Sequence, residues 1–202
     1  MTLRTQTLNQ LLDDLASKQP TPGGGAVAGV LAGLSTALGN MVLAYSHDKQ
    51  SLEEHHELHE DCMKFLNSAK EKAIALGDAD VEAYEKVSAL WKLSKDDPNR
   101  IEQWDTALAE AIQIPLQTME LSNRILITLK TLIGKTNGML ASDLAIAAIL
   151  AESSARTAYW NVGINSDQMD CEIQKNEFNE QSTVLLKSCK ELAGLIEQSC
   201  KV

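Results

Sequence analysis

Aromatic residues are scarce in this chain: three tryptophans, three tyrosines and two phenylalanines make up only 4% of its 202 residues. Sheets are usually filled by aromatic and β-branched side chains, whereas alanine, leucine and other unbranched residues favour helices. The chain also lacks the regular apolar and polar alternation that is typical of strands. We therefore expect an all-α protein, with residues 1–202 forming one helical domain.

Cysteine is equally sparse. Four cysteines are scattered along the chain and no two form a Cys-x-x-Cys pair, which argues against a zinc site or a disulfide framework. Residues 1–10 lack the basic and apolar regions of a signal peptide. Isolated cysteines without a secretion signal are typical of reduced cytosolic proteins, so we expect a cytoplasmic location.

The sequence has no excess of positive charge. Its 18 basic residues face 28 acidic ones, which gives a formal net charge of −10. Such a surface repels phosphate backbones and anionic headgroups, so we expect neither a nucleic-acid nor a membrane partner. Residues 26–44 are nearly as apolar as a membrane span, but Gly29, Gly33 and Asn40 dilute the segment and no basic flank marks it. A buried central helix is the better interpretation.

Proline, glycine and aspartate divide the chain into about seven helical segments, which predicts an up-and-down helix bundle. Gly77 is expected to end one helix, and Pro115 is expected to bend another. Three glycines spaced four residues apart, Gly25, Gly29 and Gly33, form a groove that allows a second helix to approach closely.

The strongest local signal is the loop Pro20-Thr21-Pro22-Gly23-Gly24-Gly25, which leads into the apolar helix. A helix that begins after such a loop presents free backbone N–H groups and a positive dipole, which suit a carboxylate, a phosphate or a developing oxyanion. The loop is neither a Walker loop nor a dinucleotide fingerprint. Its prolines and glycines also fit a purely structural turn between two helices.

Two aspartates and two asparagines are further candidates. Asp143 begins an otherwise apolar helix and Asp80 lies in a predicted first turn, where each is either a functional carboxylate or an ordinary partner of the helix dipole. Asn161 and Asn165 bracket a glycine where the alanine-rich helix is expected to stop.

A histidine cluster, His55, His56 and His59, lacks the His-Glu-x-x-His spacing of zinc proteases. Glutamates surround it, so we interpret it as a solvated helix face and expect no metal site.

Several of these segments together resemble the formiminotransferase-cyclodeaminase family, in its cyclodeaminase domain and in stand-alone methenyltetrahydrofolate cyclohydrolases. The resemblance runs in order along essentially the whole chain. It is carried by Pro20–Gly25, Asp80-Val81-Glu82-Ala83-Tyr84, Ala111-Ile112-Gln113-Ile114-Pro115, Asn137, Ser142-Asp143-Leu144-Ala145 and Asn161-Val162-Gly163-Ile164-Asn165.

The resemblance implies an all-α homodimer with its active site in a cleft near the subunit interface. By the same resemblance Asp80 is the catalytic acid, and we expect Asp80 to transfer protons while Asp143 orients the pterin or the reacting carbon. The substrate-binding positions that it implies are Pro22, Gly23, Gly24, Gly25, Asn137, Asn161 and Asn165.

Two reactions fit this resemblance. A cyclodeaminase converts 5-formiminotetrahydrofolate to 5,10-methenyltetrahydrofolate and ammonia, whereas a cyclohydrolase opens the methenyl compound with water to 10-formyltetrahydrofolate. Both need one group that moves a proton and one that orients the reacting centre, and neither needs a metal or another cofactor. No local feature separates the two, and a non-catalytic folate-binding dimer is an alternative of another class.

Overall fold

The computed structural model describes residues 2–200 and confirms the all-α class: these residues contain six α-helices and no strand. The helices are α1 (Leu8–Ala16), α2 (Gly24–His47), α3 (His56–Trp91), α4 (Pro98–Thr131), α5 (Ala141–Ser166) and α6 (Glu172–Ser199). Two short 3₁₀ helices, Gln50–His55 and Gly138–Leu140, precede α3 and α5.

The centre of the bundle is the antiparallel pair α2 and α5. Ser35 Oγ donates to the carbonyl of Ala147 at 2.7 Å, and Ser154 Oγ donates to the carbonyl of Ala28 at 2.7 Å. Both helices are built mainly from alanine, glycine and serine on their facing sides, so their backbones lie close enough for these bonds. Helix α3 packs on the other side of α2, while α4 and α6 cover α5.

The predicted glycine groove is confirmed, and its partner is α3. A Cβ atom added to Gly29 would stand 2.7 Å from the carbonyl oxygen of Ala73 and 2.9 Å from the Cα of Gly77. The expected break at Gly77 is therefore wrong, because α3 runs through it without interruption from His56 to Trp91. Gly77 serves the close approach of two helices and not a helix end, which reduces the expected seven helices to six in residues 2–200.

Helix ends elsewhere follow local chemistry. Thr7 forms a capping box with Gln10 at the start of α1, and Asp97 caps α4 with Pro98 in its first turn. The expected stop of α5 between Asn161 and Asn165 is wrong, since the helix continues to Ser166 and carries both asparagines inside it. Pro115 lies within α4, which continues on both sides of it.

Two helices are long and apolar enough to cross a membrane by length and composition alone. One of them is α2, and 56% of its most apolar stretch is buried inside the bundle. The other, residues 138–166, includes α5, whose alanines at 147, 148, 151, 155 and 158 are fully buried. In the structure each helix thus buries one face in the core of the bundle and leaves the opposite face exposed.

The contact between Gly29 and Gly77 predicts a large effect of a single methyl group. Gly29→Ala should lower the free energy of unfolding by about 2 kcal/mol or more, because the new Cβ meets backbone atoms that move only if the two helices separate. Gly194→Ala is the matched control: its added Cβ meets no atom within 4 Å, and removing a helical glycine should stabilise the protein by about 1 kcal/mol. Urea unfolding measures both, and equal stability of the two variants would contradict the packing argument.

Candidate active site

A cavity of about 240 Å³ lies where the glycine loop, the first turn of α2, the C-terminal third of α3 and the end of α5 meet. It contains most of the polar residues that the sequence marked as candidates. Its walls are Pro20, Thr21, Gly23, Gly24, Gly25, Asp80, Tyr84, Val87, Trp91, Ala111, Asn161, Ile164 and Asn165.

Asp80 lies directly against Gly25. A Cβ atom at position 25 would stand 1.9 Å from Cγ of Asp80 and 2.0 Å from each of its carboxyl oxygens. Only glycine leaves room for the carboxyl group at this point, which gives the third glycine of the loop a specific purpose. The N-terminus of α2, capped by Gly23 without any side-chain hydrogen bond, lies beside the same group.

Burial governs the chemistry of Asp80. Desolvation of the carboxylate raises the pKa of Asp80 from 3.8 to about 6. None of the hydrogen bonds found between residues 2 and 200 involves this side chain, so no described donor offsets the desolvation. A carboxyl group that titrates near neutrality can both release and accept a proton under physiological conditions.

The two asparagines of α5 form the wall opposite α3. They are four residues apart and therefore lie one turn apart on the same helix face. Nδ2 of Asn161 is buried and has no hydrogen-bond partner among the described residues, and Oδ1 of Asn161 would lie 3.4 Å from a Cβ at Gly24. Nδ2 of Asn165 donates to the carbonyl oxygen of Ala111 on α4 at 2.7 Å.

The sequence interpretation missed the apolar part of the cavity. Tyr84, Val87 and Trp91 line this part of the cavity, and Tyr84 and Trp91 are half-exposed. Their spacing from Asp80 was the available signal, because residues 80, 84, 87 and 91 share one helix face.

Two expected site residues lie at the other end of the chain's bundle. Asp143 is in the first turn of α5, 18 residues before Asn161, which places them about 27 Å apart along the helix axis. Asn137 begins the adjacent 3₁₀ helix, and its Oδ1 accepts a hydrogen bond from Nζ of Lys49 at 2.8 Å. The structure thus brings neither residue to the Asp80 cavity within one chain.

Pro22, another expected site residue, lies closer to the Asp80 cavity but outside it. It lines a neighbouring groove on the far side of the loop, together with Asp78 and Glu82, and not the cavity that contains Asp80.

The histidine cluster is also at that far end, and its interpretation as a solvated face is wrong for His59. This side chain is fully buried, and its Nε2 is 2.7 Å from the carbonyl oxygen of Lys135, to which it donates. Burial lowers the pKa of His59. His47 and His56 stack beside it with ring centroids 4.4 Å apart. Within residues 2–200 no three or more His, Cys, Asp or Glu side chains are arranged to hold a metal ion.

Comparison with known protein families shows to which family this chain belongs. The family model described as formiminotransferase-cyclodeaminase matches residues 7–183. The chain belongs to the formiminotransferase-cyclodeaminase family. The match covers the glycine loop, Asp80 and both asparagines of the cavity, so the whole site falls inside the family domain.

Relatives of this family differ in length and in name. Formimidoyltransferase-cyclodeaminase of Gallus gallus is 29% identical over 96% of the chain, but the chain spans only 37% of that protein. Methenyltetrahydrofolate cyclohydrolase of Methylorubrum extorquens is 26% identical, and 90% of its length is covered. The crystal structure of formiminotetrahydrofolate cyclodeaminase from Thermotoga maritima superposes with a TM-score of 0.83 at 26% identity, covering 96% of this chain and 97% of that one.

The raised pKa of Asp80 predicts a pH-dependent cost in stability. Between pH 3.8 and about 6 the folded protein keeps a proton on Asp80 that the unfolded chain has lost, so stability decreases as pH rises through this interval. Asp80→Asn removes that cost. We expect the variant to be more stable than the wild type by up to about 3 kcal/mol well above pH 6, with the difference vanishing below pH 3.8. Chemical unfolding across this range measures it, and an Asn variant that is less stable above pH 6 would contradict the desolvation argument.

Proposed function

We propose that this protein is a folate one-carbon enzyme, a formimidoyltetrahydrofolate cyclodeaminase, whose proton-transfer group is Asp80. The observation that carries the proposal is the partly buried carboxyl of Asp80, which lies against Gly25 in the cavity that Asn161 and Asn165 also line and has a pKa of about 6. Membership in a family named for folate enzymes, together with a carboxyl group that titrates near neutrality in a small, largely apolar cavity, supports proton transfer at a bound one-carbon unit.

Cyclodeamination needs two proton movements that one carboxyl group can perform. N10 of 5-formiminotetrahydrofolate attacks the carbon of the protonated formimino group, an amidinium. A carbon–nitrogen bond forms as the C=N double bond opens to leave an amino group, and the proton of N10 passes to the Asp80 carboxylate. The same proton then goes to the amino group of the tetrahedral adduct. The bond to that amino group breaks, ammonia leaves, and 5,10-methenyltetrahydrofolate remains.

The alternative is a methenyltetrahydrofolate cyclohydrolase, which is favoured by the Methylorubrum extorquens relative because the chain covers 90% of its length. In that reaction the Asp80 carboxylate accepts a proton from the water that adds to the methenyl carbon. The proton then moves to N5 as its bond to that carbon breaks, and the hydroxyl group loses its proton to solvent as the formyl carbonyl forms on N10. The same site residues serve both reactions, and neither scheme uses a metal or another cofactor.

The size of the cavity suits part of a folate. About 240 Å³ accommodates a bicyclic ring system but not a whole tetrahydrofolate. Trp91 and Trp104 also line a second, larger groove of about 550 Å³. Its charged residues are two cations and three carboxylates: Lys95, Arg100, Asp105, Asp167 and Asp170. We assign the pterin to the cavity and the benzoyl-glutamate portion to this groove, with Trp91 between them.

A homodimer would explain the two remote site residues. The outer faces of α2 and α5 carry exposed apolar side chains, with Leu34 52% exposed, Tyr45 63% and Ile146 46%. A two-fold axis across the middle of this surface would set the helices of two subunits antiparallel. The Asn137 and Asp143 end of one subunit would then lie near the Asp80 cavity of its partner, where Asp143 orients the substrate. We place this dimer in the cytoplasm.

Turnover tests the assignment of Asp80. Purified protein is supplied with 5-formiminotetrahydrofolate or with methenyltetrahydrofolate, and the absorbance of the methenyl chromophore is followed. Growth with ammonia release identifies a cyclodeaminase, whereas accelerated loss identifies a cyclohydrolase. Asp80→Asn should lower kcat by about 100-fold or more, because the Asn amide does not transfer the proton.

Glu82→Gln serves as the control for this test, since Glu82 is an exposed carboxylate two residues away on α3 and outside the cavity. It should keep wild-type turnover. Unchanged turnover in Asp80→Asn removes Asp80 from the mechanism, and a wild-type protein that binds folate without converting either substrate indicates the non-catalytic dimer.

Hybrid dimers test the shared site. If Asp143 of one subunit completes the cavity of the other, Asp80→Asn and Asp143→Asn homodimers are both inactive, yet a dimer with one subunit of each kind has one intact site. Co-expression of the two variants should restore about a quarter of wild-type activity, since random pairing makes about half of the dimers mixed. The absence of any recovery, with mixed dimers confirmed by differently tagged subunits, would rule out a site shared in this way.

A further inference from the structure

Pro115 leaves one backbone carbonyl of α4 without its usual partner. Proline has no backbone N–H, so the carbonyl four residues earlier, that of Ala111, receives no hydrogen bond from within the helix at this position. Ala111 is buried and lines the Asp80 cavity, where an unpaired carbonyl would be costly. It is paired from outside, by Nδ2 of Asn165 on α5 at 2.7 Å.

This hydrogen bond fixes which way the Asn165 amide faces. A carbonyl oxygen only accepts hydrogen bonds, so the NH₂ end of Asn165 must point to Ala111. The Oδ1 end is then turned away from α4, and it accepts no hydrogen bond from the residues that the structure describes. Since Asn165 lines the cavity, its free end is an acceptor at the cavity wall.

We infer that Pro115 is a positioning residue of the site: by freeing the Ala111 carbonyl it holds Asn165 with Oδ1 toward the cavity, where that oxygen accepts an N–H group of the substrate. The inference rests on the proposed function for the identity of that substrate. Nδ2 of Asn161, buried without a partner one turn away, supplies a donor next to this acceptor. An acceptor beside a donor suits the edge of a ring lactam, in which an N–H group adjoins a carbonyl.

Pro115→Ala isolates this role. The new backbone N–H lets the Ala111 carbonyl bond within α4, so the helix keeps or gains stability while Asn165 loses its exclusive partner. We expect KM to rise roughly fivefold, the equivalent of one neutral hydrogen bond, with kcat nearly unchanged. In an Asn165→Ala background the same substitution should have no further effect, because Pro115 acts only through Asn165.

Pro98→Ala is the matched control. Pro98 is the first residue of α4, where the missing N–H frees no carbonyl inside the helix, and it lies outside the cavity. This variant should keep the wild-type KM. A merely structural role of Pro115 predicts an unaltered KM in Pro115→Ala, whether or not the melting temperature changes.

A measurement without turnover completes the test. The side-chain amide signal of Asn165, identified in ¹⁵N–¹H spectra by its loss in Asn165→Ala, should exchange slowly with water in the wild type and faster in Pro115→Ala. Equal exchange in both, or a Pro115→Ala effect on KM that persists without Asn165, overturns the inference. If the wild type converts neither folate, the proposed function fails, while the exchange rates still decide whether Pro115 positions Asn165.

Discussion

The site depends on the contact between two glycines. Gly29 of α2 and Gly77 of α3 bring two helix backbones so close that a single methyl group at position 29 would overlap backbone atoms. Gly25 lies one turn before Gly29 on α2, and Asp80 lies three residues after Gly77 on α3. The close crossing therefore presses the Asp80 carboxyl against the only residue type that leaves space for it. With larger side chains at the crossing, the cavity would be open and the carboxylate would be solvated.

Burial at this crossing produces the reactivity that we assign to Asp80. A solvated aspartate is fully ionised at neutral pH, whereas desolvation moves the pKa of Asp80 to about 6. The same burial destabilises the fold whenever the group is ionised. The small-residue core of α2 and α5, in which alanine and glycine allow hydrogen bonds between the helices, provides a rigid support for this unfavourable group.

Polar groups of the cavity are arranged by the bundle and not by their own helices. Asn165 is anchored on α4 through a carbonyl that Pro115 leaves free, and Asn161 faces the glycine loop at the start of α2. The orientation of each asparagine side chain is thus set by contacts with a helix or loop other than its own. This arrangement places a donor, an acceptor and a titratable carboxyl around one small space, which is the combination that proton transfer at a bound heterocycle requires.

Composition and spacing alone predicted the helical class and the glycine groove of α2, because both are local properties of the chain. The family resemblance grouped Asp80, Asn161, Asn165 and the glycine loop with Pro22, Asn137 and Asp143, and the structure brings only part of that set to one cavity. Only the tertiary structure decided that Gly77 continues a helix, that Trp91 lines a cavity and that His59 is buried. Each of these depends on contacts with residues that are distant in sequence. A glycine within a helical segment can end the helix or allow a second helix to pack closely against it, and only the packing of that second helix shows which occurs. The distance between Asp143 and Asn161 could likewise be calculated only after the structure showed that α5 is one continuous helix.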